Sequence, residues 1–292
     1  MAAQEHAGQG PTASEYITHH LQHMQVDFSF NHAKQTSIVD FSVFNLDSLI
    51  VGTLIGLLSV FILWRGSRRA TSGVPGRFQG FIEMLVELVD GQAKGVIRNE
   101  ASRRVVAPMA LIVFVWIFGM NFMDMIPVDF LPQLWHHASA QMGLKDYLRV
   151  VATADLSTTL GMSTFVLLVC LFYSVKIKGL GGWGHELISA PFGSHPVLWP
   201  FNFLMQVIEY VAKTVSHGMR LFGNMFAGEL VFMLIALMGG AWALNALGVS
   251  LAVGHVIAGT IWTLFHILVI VLQAFIFMML TLIYVGQAHD HH

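Results

Sequence analysis

Arg220 stands in the apolar stretch Met219-Arg220-Leu221-Phe222-Gly223-Asn224-Met225-Phe226-Ala227-Gly228-Glu229-Leu230, far from either end of a long helix-compatible run. A charge in hydrocarbon costs at least about 2.5 kcal/mol, so such groups face a protein interior, a partner or a water-filled path. Arginine is the extreme case, because its guanidinium stays protonated in proteins. A permanent cation here implies compensation by a partner or by a function. At about 100° per residue, Gln206, Glu209, Lys213 and Asn224 fall within roughly 40° of the Arg220 face. His255, His266, Gln273 and Tyr284 form a stripe on the following helical run, spaced by eleven, seven and eleven residues. Glu229 lies on the opposite face of its helix, about 13 Å along the axis from Arg220. The two therefore do not neutralise each other within that helix.

Groups of these types can hold, accept and pass protons, histidine most readily because it titrates near neutrality. Each also has a plainer role. Gln206, Asn224 and Gln273 suit interhelical hydrogen bonds, His255 and His266 suit satisfied core positions, and Lys213 can snorkel along its helix. Arg220 fits no such role.

The elements that position these residues follow from composition. Of 292 residues, 55% are hydrophobic and 11% charged, where a soluble domain carries about 25% charged. The chain reads as an all-α polytopic membrane protein. A net charge of −2 gives no reason to expect a nucleic-acid partner, and the lone Cys170 allows neither a disulfide framework nor a cysteine metal site. No cofactor or metal is expected. No G-x-x-x-x-G-K-[ST] loop is present, so nucleotide chemistry is not expected in this chain. The polar start of the chain has no basic-then-apolar leader pattern.

Residues 1–47 read as a tail, with a short amphipathic helix near Tyr16–His23 and with His19, His20 and His23 solvated. Residues 48–292 read as a single membrane domain. The first span covers about 48–64, with Gly52 and Gly56 at a spacing that permits close helix contact. Arg65, Arg68, Arg69 and Arg77 follow it and mark the cytoplasmic side, which puts the tail outside. Over about 75–94, Phe78, Phe81, Ile82, Leu85, Leu88 and Val89 share one face, with Glu83, Glu87, Asp90 and Lys94 on the other. That pattern predicts a helix lying on the cytoplasmic membrane surface. Arg98, Arg103 and Arg104 keep the next loop inside. A second span covers about 105–126, and a loop bearing Asp129, Lys145, Asp146 and Arg149 leads to a third at about 155–175, ending before Lys176 and Lys178. The last two runs, about 197–238 and 249–287, are on the order of 60 Å long as helices, against a hydrocarbon core of roughly 30 Å. They are expected to form a long tilted hairpin turning near Gly239, Gly240 and Gly248. Five spans place the C-terminus, with its His289–His292 cluster, inside.

The run from Arg220 to Glu229, followed by Phe265-His266-Ile267-Leu268 and Leu272-Gln273-Ala274-Phe275-Ile276-Phe277, closely resembles subunit a of the bacterial F-type ATP synthase. So do Ala70-Thr71-Ser72-Gly73-Val74-Pro75-Gly76, Met120-Asn121-Phe122-Met123-Asp124 and the five-span topology. The resemblance implies a stationary subunit of the bacterial inner membrane, set against a ring of c subunits and beside the b-subunit stalk. It carries the proton as its only small-molecule substrate, and ATP chemistry lies in other subunits. By resemblance, Arg220 faces the c-subunit carboxylate and separates two offset half-channels. Glu229 and His266, with Asn224, Gln273, Asn121 and Asp124, belong to the external path, which Asp47 also suits. Glu209, Lys213, Ser216 and Gln206 are the cytoplasmic candidates. Some relatives carry a carboxylate where this chain has Gln206, a role open to Glu209 one turn on. His217 departs from the family pattern, as a relay or as a space-filler.

Two other classes fit less well. A transporter binding an anion at Arg220 predicts repeated halves, and the chain shows none. A haem protein asks for histidines at matched depth on neighbouring spans, and the first three spans contain none.

Overall fold

The computed structural model describes residues 13–28, 42–127 and 149–288 except 69, 72, 190, 191, 194 and 241–243, and also residues 35, 40, 130, 131 and 135. Arg69, Asp129, Lys145, Asp146, the His19 side chain and His289–His292 lie outside the described residues. The described elements run α1 (Ala13–His20), β1 (Gln25–Asp27), β2 (Val43–Asn45), α2 (Leu46–Arg68), α3 (Arg77–Val96), α4 (Glu100–Phe122), α5 (Leu156–Ser189), α6 (Trp199–Gly240) and α7 (Ala246–Gln287). Among the described residues, five stretches are long and apolar enough to cross a membrane: Leu46–Arg68, Glu100–Met125, Leu156–Ser189, Pro196–Gly240 and Ala246–Gln287.

Local sequence explains where the helices begin. Asn99 Oδ1 accepts the backbone N–H of Ala101 at 2.9 Å, and Asp155 Oδ1 accepts that of Ser157 at 3.1 Å. Asn245 Oδ1 does the same for Gly248 at 2.6 Å. Each thereby satisfies an orphan donor at the start of α4, α5 or α7. On α2, Asp47 in the first turn and Arg65 and Arg68 in the last complement the helix dipole. The predicted surface helix is α3, which buries Ile82, Val89 and Ala93 along one stripe and leaves Phe78, Phe81 and Leu88 exposed.

Two expectations need correction. The third span does not end near residue 175: α5 continues to Ser189, broken at Gly179, whose φ of 72° lies in the left-handed region that glycine enters freely. The break returns Glu186 to Lys178, at 2.7 and 2.8 Å between Nζ and the two carboxylate oxygens. The tail, in turn, is not simply a solvated polar segment. β1 pairs antiparallel with β2 in the register Val26↔Phe44, Val26 is buried, and so is His20.

Packing divides the chain into two compact units. The first comprises Met1–Thr53, Met120–Ala154 and Met225–Val269, and the second Leu54–Gly119, Asp155–Asn224 and Ile270–His292. The core of the first includes Val26, Met120, Val151, Ala152, Met225 and Met233. That of the second includes Ile97, Ile117, Leu221, Phe277, Met278 and Leu282. Within the second unit Gly56 abuts Trp116, where an added Cβ would lie 2.8 Å from the indole. The glycine is what lets α2 and α4 approach.

Candidate functional site

In the first unit α6 carries Glu229 with 6% exposure, facing Arg149 from the segment that leads into α5. Arg149 Nη2 donates to Glu229 Oε2 at 2.6 Å, and its side chain is 4% exposed. Its Nη1 lies 2.6 Å from His23 Nε2, just before β1. A guanidinium only donates, so His23 Nε2 accepts in this contact and Nδ1 is left as the ring's other nitrogen. That nitrogen stands 3.6 Å from Asp47 Oδ1. Asp47 also accepts the backbone N–H groups of Met24 (3.1 Å), Ser48 (2.8 Å) and Arg149 (3.3 Å). One buried carboxylate at the head of α2 thus ties the tail to the Arg149 segment.

Asp124, in the 3₁₀ turn after α4, brings Oδ2 to 2.7 Å from His266 Nε2 on α7, in a geometry too bent for a hydrogen bond. The His266 ring is edge-on to Phe232 and stacked near Trp262. It also presses on Gly228, where a Cβ would collide with the imidazole. Asn121 is fully buried, and neither of its amide atoms has a hydrogen-bond partner among the described residues. An amide in that condition suits ordered water.

The second unit holds a cavity of about 610 Å³. Gln206, Glu209, Lys213 and His217 line it from α6, Lys178 and Glu186 from α5, and Tyr284 and Gln287 from α7. Lys213 Nζ pairs with Glu209 at 2.6 Å and donates to Gln287 Oε1 at 2.9 Å. Ser216 is exposed on α6 and does not line the cavity. Asn224 Nδ2 donates to Gln273 Oε1 at 2.6 Å, linking α6 to α7. Arg220 is exposed, and among the described residues no hydrogen bond or ion pair reaches its guanidinium.

The structure therefore gathers Glu229, Asn121, Asp124 and His266 into one unit, and Gln206, Glu209, Lys213, Asn224, Gln273 and Arg220 into the other. His255 takes the plainer role, with Nδ1 on the Ile235 carbonyl at 2.7 Å. Sequence reasoning missed Arg149 and His23. Their only signals were an arginine beside the apolar Val150-Val151-Ala152 and a histidine just ahead of a short alternating stretch, and both are weak.

Five membrane-length helices with ionisable groups buried along their faces define an all-α polytopic membrane protein. The family described as ATP synthase A chain matches residues 49–286. Proteins called ATP synthase subunit a from Paracidovorax citrulli and from an Acidovorax species are each 64% identical, with complete coverage of both chains. One from a Shewanella species is 45% identical, with 98% of each chain covered. The chain belongs to the ATP synthase A chain family.

Proposed function

We propose that this chain is the proton-translocating stator subunit of a bacterial rotary ATP synthase, seated against the c-subunit ring and beside the b-subunit stalk. Its N-terminus is external and its C-terminus cytoplasmic. The observation that carries this reading is Arg220, an exposed cation inside a 42-residue apolar helix whose guanidinium has no hydrogen-bond or ion-pair partner among the described residues. Ser216, Gly223 and Ala227 are exposed on the same stripe, and small residues there allow another helix to come close. A carboxylate carried past on that helix would meet the guanidinium.

The mechanism follows from charge. Arg220 favours the ionised form of the passing carboxylate, so each carrier gives up its proton before it passes. The same fixed cation repels a proton travelling directly from one half-channel to the other. Each proton descending the potential releases about 2.3 kcal/mol per 100 mV, and a leak would dissipate it as heat. Glu229, His266, Asp124 and Asn121 serve the external half-channel, and Asn224 and Gln273 hold the neighbourhood of the arginine. The cavity lined by Gln206, Glu209 and Lys213 serves the cytoplasmic half-channel, with Ser216 on the c-ring side. ATP chemistry resides in other subunits.

The test is Arg220→Ala in the assembled complex in membrane vesicles. ATP-driven proton pumping should vanish, while passive conduction through membranes stripped of the soluble head is retained or raised. Normal coupled pumping by that variant would remove Arg220 from the mechanism.

A further inference from the structure

We propose that His217 is a proton-relay residue of the cytoplasmic half-channel, passing protons between the cavity and the surroundings of Arg220. The proposal rests on the stator reading above. His217 is 2% exposed and lines the cavity from α6. Its Nε2 is buried, without a hydrogen-bond partner among the described residues. The ring is held by Phe277, at 3.8 Å between centroids, and by the edge of Tyr284 at 5.6 Å. It precedes Arg220 by three residues, a spacing that leaves Cβ atoms about 5–6 Å apart on a helix.

A space-filling role explains this placement poorly. Against Phe277 a leucine would fill a similar volume without burying an unpaired ring nitrogen, a group that costs stability when left unmade. An imidazole offers what leucine lacks, a nitrogen that accepts and a nitrogen that donates in one neutral ring. In the synthesis direction, the bare nitrogen takes a proton released near Arg220 while the opposite N–H gives its proton to water in the cavity. One proton enters and one leaves. The ring is left as its other tautomer, and a half-turn about the Cβ–Cγ bond resets it. The ionisable and charged groups around the cavity, besides His217, are Glu209, Tyr210 and Lys213 from α6, Lys178, Glu186 and Cys170 from α5, and Tyr284 from α7. None of the α5 or α7 groups shares a helix with Arg220, and Glu209, Tyr210 and Lys213 precede it by eleven, ten and seven residues against three for His217.

The experiment measures passive proton conduction in vesicles carrying the complete membrane sector, after removal of the soluble head, for wild type, His217→Ala and His217→Gln. Assembly is checked by recovery of the purified complex. Conduction should fall at least about tenfold in both variants, in line with loss of a positioned proton-transfer group. Added imidazole should restore it in His217→Ala with a pH dependence that follows imidazole, a rescue that a packing defect would not show. Wild-type conduction in either assembled variant, or a reduced rate in His217→Ala that imidazole leaves unchanged, overturns the proposal. His217→Gln, which keeps a polar side chain, decides the case should the alanine variant fail to assemble. Arg220→Ala run in parallel separates the two claims: its normal coupled pumping would sink the role given to Arg220, whereas unimpaired His217 variants beside an uncoupled Arg220→Ala would sink the relay alone.

Discussion

The two units handle charge in opposite ways. In the first, Glu229, Asp124 and Asp47 are 6%, 5% and 0% exposed, and each touches a named basic or backbone donor at short range. In the second, Glu209 and Lys213 keep side-chain exposures of 53% and 30%, and pair beside a cavity of about 610 Å³. Buried pairs obtain their energy from geometry and fail when one partner goes, because the survivor is stranded in a low-dielectric interior. Open pairs exchange with water and contribute little individually. The Arg149–Glu229 cluster should therefore be brittle and the Glu209–Lys213 pair forgiving, although both carry acids and bases of the same kinds.

Arg149→Ala tests this contrast most severely. It leaves Glu229 buried without its guanidinium and removes the donor to His23, so a destabilisation of about 3–5 kcal/mol is expected. Thermal unfolding of the detergent-solubilised complex would report it, with lost pumping alongside. A melting temperature within error of wild type would mean that the pair is dispensable. Asp124→Ala comes next: it removes the carboxylate that stands 2.7 Å from a histidine that is 1% exposed, and a smaller drop in melting than for Arg149→Ala is expected, together with slowed ATP-driven pumping. Asn224→Ala breaks the 2.6 Å bond to Gln273. Interhelical bonds of this kind contribute about 0.6 kcal/mol on average and up to roughly 1.7, so a small shift in melting is expected and a large one would show that Gln273 cannot find another partner. Lys213→Ala should be mildest, at no more than about 1 kcal/mol. If it proved as damaging as Arg149→Ala, the distinction between brittle cluster and forgiving pair would collapse.

The sequence made some of this legible and hid the rest for physical reasons. Helix periodicity exposed the five spans and α3, because a period of 3.6 residues is written into the spacing of apolar side chains. Arg220, Glu229 and His266 stood out because a polar residue in an apolar run is conspicuous. Arg149 could not stand out: it lies in a loop, where polar residues are ordinary, and its partner is 80 positions away. His23 was hidden by the same ordinariness, and its importance depends on β1 pairing with a strand about eighteen residues on. Gly179 was visible as a glycine, but its positive φ was not, so the third helix was expected to stop too early. Ser216 shares a helix face with Arg220 and not with the cavity lining, a division that only packing reveals.

The press of His266 on Gly228 also sets an order for substitution over generations. A side chain arriving at position 228 while the histidine remains would collide with the ring, whereas a smaller residue arriving first at position 266 would open the space and free its neighbour to vary. The two positions should therefore be coupled in mutational history, with the histidine changing before the glycine. A library that varies both together should recover functional pairs that neither single-site library contains.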